Sequence, residues 1–284
     1  MDGMDKIGVV GCGLMGAGIA EVSARAGLDV VVAESSAGAA DAGRRRLEKS
    51  LGRAEAKGKI ESASAVLERI HLVTDLDAMA DRQIVIEAII EEESAKIDLF
   101  HRLDKIVLDP EAILGSNTSS IPIMKLGAGT TRPSQVIGIH FFNPVPVLKL
   151  VELVPSLLTS KETLRRSHAF VETKLNKTAI DCQDRAGFVV NALLIPFVLS
   201  AIRMMESGFA TAEDIDRGLV LGAAHPQGPL ALADLIGLDT TKAVAESLYA
   251  EFKEPLYAPP PLLARMVEAG LLGRKAGRGF YTYE

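Results

Sequence analysis

Cysteine is scarce in this chain of 284 residues, which has only Cys12 and Cys182. Two thiols so far apart exclude a disulfide framework, and neither sits in a metal-ligand spacing, so no metal site is expected. That usage suits a reduced, cytoplasmic setting. Basic charge is also in short supply. Lys and Arg total 31 against 37 Asp and Glu, a net charge of −6, which argues against nucleic acid or an anionic membrane as partner. Long apolar runs are missing too. The opening "MDGMDK" leads straight into "IGVVG", too short for a signal sequence. "FVVNALLIPFVLSAI" (188–202) is shorter than a membrane span and carries Asn191 and Pro196, so a buried helix is expected there. Repeats and low-complexity segments are lacking. "RRR" (44–46) and "EEE" (91–93) read as solvated helix faces.

What is present is ordinary globular material, 48% hydrophobic and 24% charged, long enough for about two domains with a sizeable core. From Lys6 to Asn117 strand-like runs alternate with helical patterns. "KIGVV", "LDVVVAE", "IVIEAII" and "AILGSN" have the length of buried strands. Helix candidates lie between them at 14–26, 39–57 and 92–107. Such alternation predicts a parallel sheet with helices on both faces. Strands at 136–142 and 148–154, a helix over 160–175 and a last strand at 178–182 extend it. Beyond Gly187 helices are expected at 188–206, 211–221, 239–252 and 260–270, with a strand pattern returning only in "GFYTY". The fold class is therefore α/β followed by an all-α part, with domains at 1–185 and 186–284.

"IGVVGCGLMGAGIA" contains G-x-G-x-x-G as Gly11, Gly13 and Gly16, with Leu14 and Met15 between the last two. Alone the pattern is weak. Here it follows a strand, opens a helix and sits in a βαβ unit. Gly11 permits the tight turn, Gly13 lets backbone approach a pyrophosphate, and Gly16 packs helix on strand. Glu34 ends the second strand, where a carboxylate accepts from the adenosine ribose hydroxyls and repels a 2′-phosphate. NAD is expected rather than NADP, with Arg44 to Arg46 serving the helix surface.

"GIHFFNPVPVLKLVELVP" (138–155) raises a separate question, because Glu152 interrupts an apolar run. A buried carboxylate needs a partner. Pro144 and Pro146 break any helix and let the chain turn back, so Glu152 can lie beside His140. Histidine titrates near neutrality and suits proton exchange with an alcohol oxygen.

Across nearly its whole length the chain resembles the short-chain L-3-hydroxyacyl-CoA dehydrogenases, most closely the bacterial 3-hydroxybutyryl-CoA dehydrogenases. The resemblance is carried by "GVVGCGLMGAGIAEV", "VIEAIIEE", "SNTSSIPI", "IGIHFFNPVPVLKLVELV", "DRAGFVVNALLIPF", "GFATAEDIDRGLVLGAAHPQGPLALADLIGLD" and "GRKAGRGFYTY". It implies a Rossmann-like NAD domain, then a helical domain for dimerisation and substrate. It implies His140 as catalytic base, Glu152 as its orienting partner, and Ser119 and Asn191 as hydrogen-bond partners of the substrate's reacting oxygen. Glu91, Lys96, Asn117 and Asn143 match positions lining the nicotinamide half of the cofactor site. Ser50 and Lys57 match helix positions approaching the CoA portion. Cys12 and Glu34 are small departures, the latter replacing a commoner aspartate. The implied reaction interconverts (S)-3-hydroxyacyl-CoA and 3-ketoacyl-CoA of short chain length in a homodimer. The same chemistry on a carrier-protein-bound or free hydroxy acid, and an inactive NAD-binding protein, stand as alternatives.

Overall fold

Short β-branched runs without polar alternation suit strands covered on both faces. In the computed structural model, which describes residues 4–283, they build one sheet. The chain divides into two compact units, one ending at Asp184 and the other starting at Arg185. The first unit runs β1 (Lys6–Val10), α1 (Leu14–Arg25), β2 (Asp29–Ala33), α2 (Ala37–Ala56), α3 (Ala63–Leu67), β3 (Ile70–Val73), β4 (Ile84–Glu87) and α4 (Glu93–Ile106). It continues through β5 (Ile113–Ser116), α5 (Ile123–Ala128), β6 (Val136–Phe141), β7 (Leu150–Pro155), α6 (Lys161–His168) and β8 (Thr178–Asp181). Strand order is β3-β2-β1-β4-β5-β6-β7-β8. Every neighbouring pair is parallel except β6 and β7. Ile7, Val9, Val30, Ile84, Ile86, Ile113, Ile139 and Val151 lie in its buried core.

Two differences from the sequence reading have local causes. "IVIEAII" stops being strand at Glu87, because the Glu87 carboxylate accepts the Ile89 N–H at 2.7 Å and turns the chain. β3 and α3 are additional elements. β3 pairs only with β2 and is largely uncovered, so "IHLV" shows no apolar run long enough to announce it. Between β6 and β7 the chain reverses through residues 142–149. Lys177 braces that turn by donating to the Val145 and Leu148 carbonyls at 2.7 and 2.6 Å. Burial of this amine, with Arg25 adding repulsion, lowers its pKa.

The second unit is helical: α7 (Val190–Glu206), α8 (Ala212–Ala223), α9 (Pro229–Ile236), α10 (Leu238–Phe252) and α11 (Pro261–Glu268). Ile195, Val198, Leu199, Leu230, Leu238, Leu248 and Leu263 form its core. Helix α9 was hidden by its prolines and glycines. Its Pro229 occupies the first helical position, where a missing N–H costs nothing, and the Asp216 carboxylate accepts the next two free N–H groups, Leu230 and Ala231, at 2.8 Å each. The tail "GFYTY" forms isolated bridges rather than a strand, pinned where Asp234 accepts the Phe280 and Tyr281 N–H groups. Among the described residues no helix is long and apolar enough to cross a membrane.

Candidate active site

In a parallel sheet the strand ends and their following turns gather functional groups on one edge. Here β1, β4, β5 and β6 deliver Gly11, Glu87, Ser116 and His140 toward the same carboxyl edge. Gly11 has φ +94°, and a Cβ there would lie 2.7 Å from the Ala88 carbonyl oxygen. A Cβ on Gly16 would lie 1.8 Å from the Gly11 oxygen, so α1 could not pack on the turn. Around Gly13 a Cβ would meet nothing within 4 Å. That open cradle lies at the N-terminus of α1, whose first N–H groups have no partner within the helix. A dinucleotide pyrophosphate fits there. Leu14 is exposed and Met15 half-buried at the cradle's edge.

At the end of β2, Glu34 accepts the Cys12 N–H at 2.5 Å and the Ser35 N–H at 3.1 Å. Arg46 is exposed on α2, as expected, and also donates to the Cys12 carbonyl at 3.1 Å. Gly43, one turn earlier on α2, allows that approach, since a Cβ would fall 2.5 Å from the Cys12 sulfur. A cation and the Glu34 carboxylate thus meet the backbone of the same residue, Cys12. Burial and then Glu34 push the Cys12 thiol up to about 11, against the pull of Arg46, so it remains a protonated packing group.

The β6–β7 ladder places His140 directly opposite Glu152. Cross-strand partners share one face of a sheet, and the His140 Nδ1 lies 2.7 Å from the Glu152 Oε2. Glu152 is 0% exposed and His140 6%. The Phe142 ring packs edge-on at 4.7 Å, fixing the imidazole plane. This arrangement holds a histidine in one orientation and stabilises its charged form.

A second cluster forms around Glu91. Its Oε1 accepts from the Thr118 hydroxyl at 2.5 Å, the Ser119 N–H at 2.8 Å, and the Ser119 and Ser120 hydroxyls at 3.2 and 3.3 Å. Its Oε2 lies 3.0 Å from the Lys96 ammonium. Burial opposes ionisation of Glu91, but Lys96, Thr118 and Ser119 together hold its carboxyl below the ordinary carboxylate range. Lys96 in turn meets Glu87 at 2.6 Å. Asn117 is tied to β6, its Oδ1 accepting the Phe141 N–H at 2.9 Å. Asn143 is exposed in the turn after β6.

The remaining expected residues lie on helices. Ser50 is near the end of α2 and Lys57 caps it. Asn191 belongs to the second unit, in the first turn of α7. Glu87 was missed, although its signal was that of Glu152: one carboxylate inside an apolar run.

Comparison with known proteins agrees with this geometry. Residues 6–185 match the model of the 3-hydroxyacyl-CoA dehydrogenase NAD binding domain, and residues 187–283 that of the family's C-terminal domain. The chain is 56% identical over 284 residues to a 3-hydroxybutyryl-CoA dehydrogenase of Mycobacterium tuberculosis, covering 99% of each chain. The crystal structure of M. tuberculosis FadB2 superposes with a TM-score of 0.98 at 56% identity, covering 100% of both chains. That of (S)-3-hydroxybutyryl-CoA dehydrogenase PaaH1 from Ralstonia eutropha gives 0.93 at 44% identity over 99% of each. With both halves matched by its models and a relative 56% identical over the full length, the chain belongs to the 3-hydroxyacyl-CoA dehydrogenase family.

Proposed function

We propose that the chain is an NAD-dependent (S)-3-hydroxyacyl-CoA dehydrogenase of short acyl chains, interconverting 3-hydroxybutyryl-CoA and acetoacetyl-CoA. The observation that carries this reading is the His140–Glu152 contact of 2.7 Å at the carboxyl edge of a sheet that also bears the glycine turn. The nicotinamide, when bound, accepts or returns a hydride at the substrate carbon. His140 takes the hydroxyl proton during oxidation and gives it back during reduction. Glu152 accepts from Nδ1 and orients the ring, and the proton is exchanged at Nε2. Ser119 and Asn191 hydrogen-bond the reacting oxygen and steady its developing charge.

In the same reading Gly11, Gly13, Leu14, Met15 and Gly16 hold the pyrophosphate and Glu34 the adenosine ribose. Glu91, Lys96, Asn117 and Asn143 line the nicotinamide half, while Ser50 and Lys57 approach the CoA moiety. The enzyme works in the cytoplasm as a homodimer joined through its helical part. Exposed Leu193, Phe209 and Leu221 on the second unit support that assembly, since apolar side chains of this size favour burial. Loss of NADH absorbance on adding acetoacetyl-CoA tests the activity, and no turnover by folded, NADH-binding protein rejects it. Sedimentation at micromolar concentration tests the dimer, and a concentration-independent monomer mass rejects that part.

A further inference from the structure

Glu87 has no part in the mechanism above, yet it anchors an ionic cluster with Lys96 and Glu91. Lys96 is 1% exposed and lies between two carboxylates, Glu87 at 2.6 Å and Glu91 at 3.0 Å. Glu87 is itself 0% exposed, whereas the Glu91 side chain is 39% exposed. One buried carboxylate suffices to neutralise one buried ammonium. The second is a surplus negative charge, and it sits under the 118–120 turn, where four donors converge on its Oε1.

Both oxygens of Glu87 are engaged. Its Oε1 accepts from Lys96 Nζ and the Ile89 N–H, at 2.6 and 2.7 Å. Its Oε2 accepts from the Ser116 hydroxyl at 2.6 Å. It therefore ties the ends of β4 and β5, the turn after β4, and α4 to one point. Lys96 is held back from Glu91 by the shorter of its two contacts. Without that hold the ammonium would move wholly to Glu91 and draw its carboxylate off the turn.

We propose that Glu87 is a positioning residue for the reaction, acting through Lys96 and Glu91 to aim the Ser119 hydroxyl. A carboxylate oxygen offers about two lone-pair sites, so the two shortest donors to Oε1, Thr118 Oγ1 and the Ser119 N–H, fill them. The Ser119 hydroxyl at 3.2 Å is then held loosely enough to turn its proton to a substrate oxygen, while its backbone stays fixed. The inference rests on the reading that Ser119 meets that oxygen.

A double-mutant cycle tests it. Glu87→Gln preserves shape and removes charge. It should lower kcat about tenfold and leave the NADH dissociation constant within about twofold, but cost less than about twofold in a Ser119→Ala background. Glu87→Asp shortens the reach to Lys96 and Ser116 while keeping the charge. It should show a smaller loss, also absent in the Ser119→Ala background, and it carries the test should Glu87→Gln not fold. Losses that multiply in the Ser119→Ala background, or normal turnover in both variants, overturn the proposal while leaving Ser119's role intact. Normal turnover of Ser119→Ala alone overturns the Ser119 reading and this proposal together.

Discussion

Replacing Glu152 by Gln removes a charge while nearly preserving volume, at a site that is 0% exposed. Its Oε2 lies 2.7 Å from His140 Nδ1, which puts the charge centres about 4 Å apart once the ring is protonated. At an effective dielectric near 20, that separation corresponds to an attraction of about 4 kcal/mol. One decade of rate corresponds to about 1.4 kcal/mol. An imidazolium between half and fully formed in the transition state would then lose roughly 30- to 1,000-fold in kcat. The assay is NADH absorbance with acetoacetyl-CoA, alongside NADH binding followed by fluorescence. NADH affinity should stay near the parent value, since the pair lies away from the glycine turn. His140→Gln should cost about 10²–10⁴-fold, and the double variant little more than the worse single one, because the two act as a unit. Turnover of Glu152→Gln within about threefold of the parent, with folding and NADH binding intact, would refute the reasoning.

Four further outcomes follow from the site. Gly16→Ala should lower stability by about 1–3 kcal/mol or more, since the added carbon meets backbone at 1.8 Å. Gly13→Ala should leave the thermal midpoint nearly unchanged yet weaken NADH binding at least about tenfold, so an unchanged NADH dissociation constant would show that the pyrophosphate lies elsewhere. NADH should be preferred over NADPH, and Glu34→Gln should narrow that preference because Arg46 already borders the site. Adding Arg46→Ala should reverse the gain, and equal use of both cofactors by the parent would show that Glu34 does not face the ribose. Because folding lowers the Glu91 pKa below its ordinary 4.5, its ionisation stabilises the protein above that value, and the benefit is lost as pH falls through the folded pKa. The gap in unfolding free energy between parent and Glu91→Gln should therefore shrink from pH 6 to pH 3 in denaturant titrations; a constant gap would contradict the lowered pKa.

Much of this site can be read from the residues because its strongest constraints are local. The glycine turn is specified by three glycines within six residues, and the His140–Glu152 contact by a carboxylate in an apolar run after a proline-broken turn. Glu87 could have been found the same way, but "VIEAIIEE" reads as strand continuing into helix, which hid the carboxylate's role in ending β4. The contact of Arg46 with Cys12 has no local signal, because it depends on how closely α2 approaches the turn, a distance set by Gly43. The hold of Glu91 on Ser119 closes across 28 residues, and no local pattern encodes it. β3 and α9 were lost for opposite reasons, one being too uncovered to show an apolar run and the other too rich in turn-forming residues at its start.

The antiparallel pairing of β6 with β7 makes the catalytic pair a matter of parity. His140 and Glu152 meet because both occupy the same phase of a two-residue repeat, in a ladder running from Phe141–Val151 to Ile137–Pro155. A residue inserted into the exposed part of the 142–149 turn changes its length but not that phase. Deleting one residue within β7 before Glu152 would swing the carboxylate to the opposite face and bring Leu153 opposite His140 instead. Length variation among natural or engineered versions of this chain should therefore be absorbed in the turn and excluded from the two strands, whatever side chains they carry.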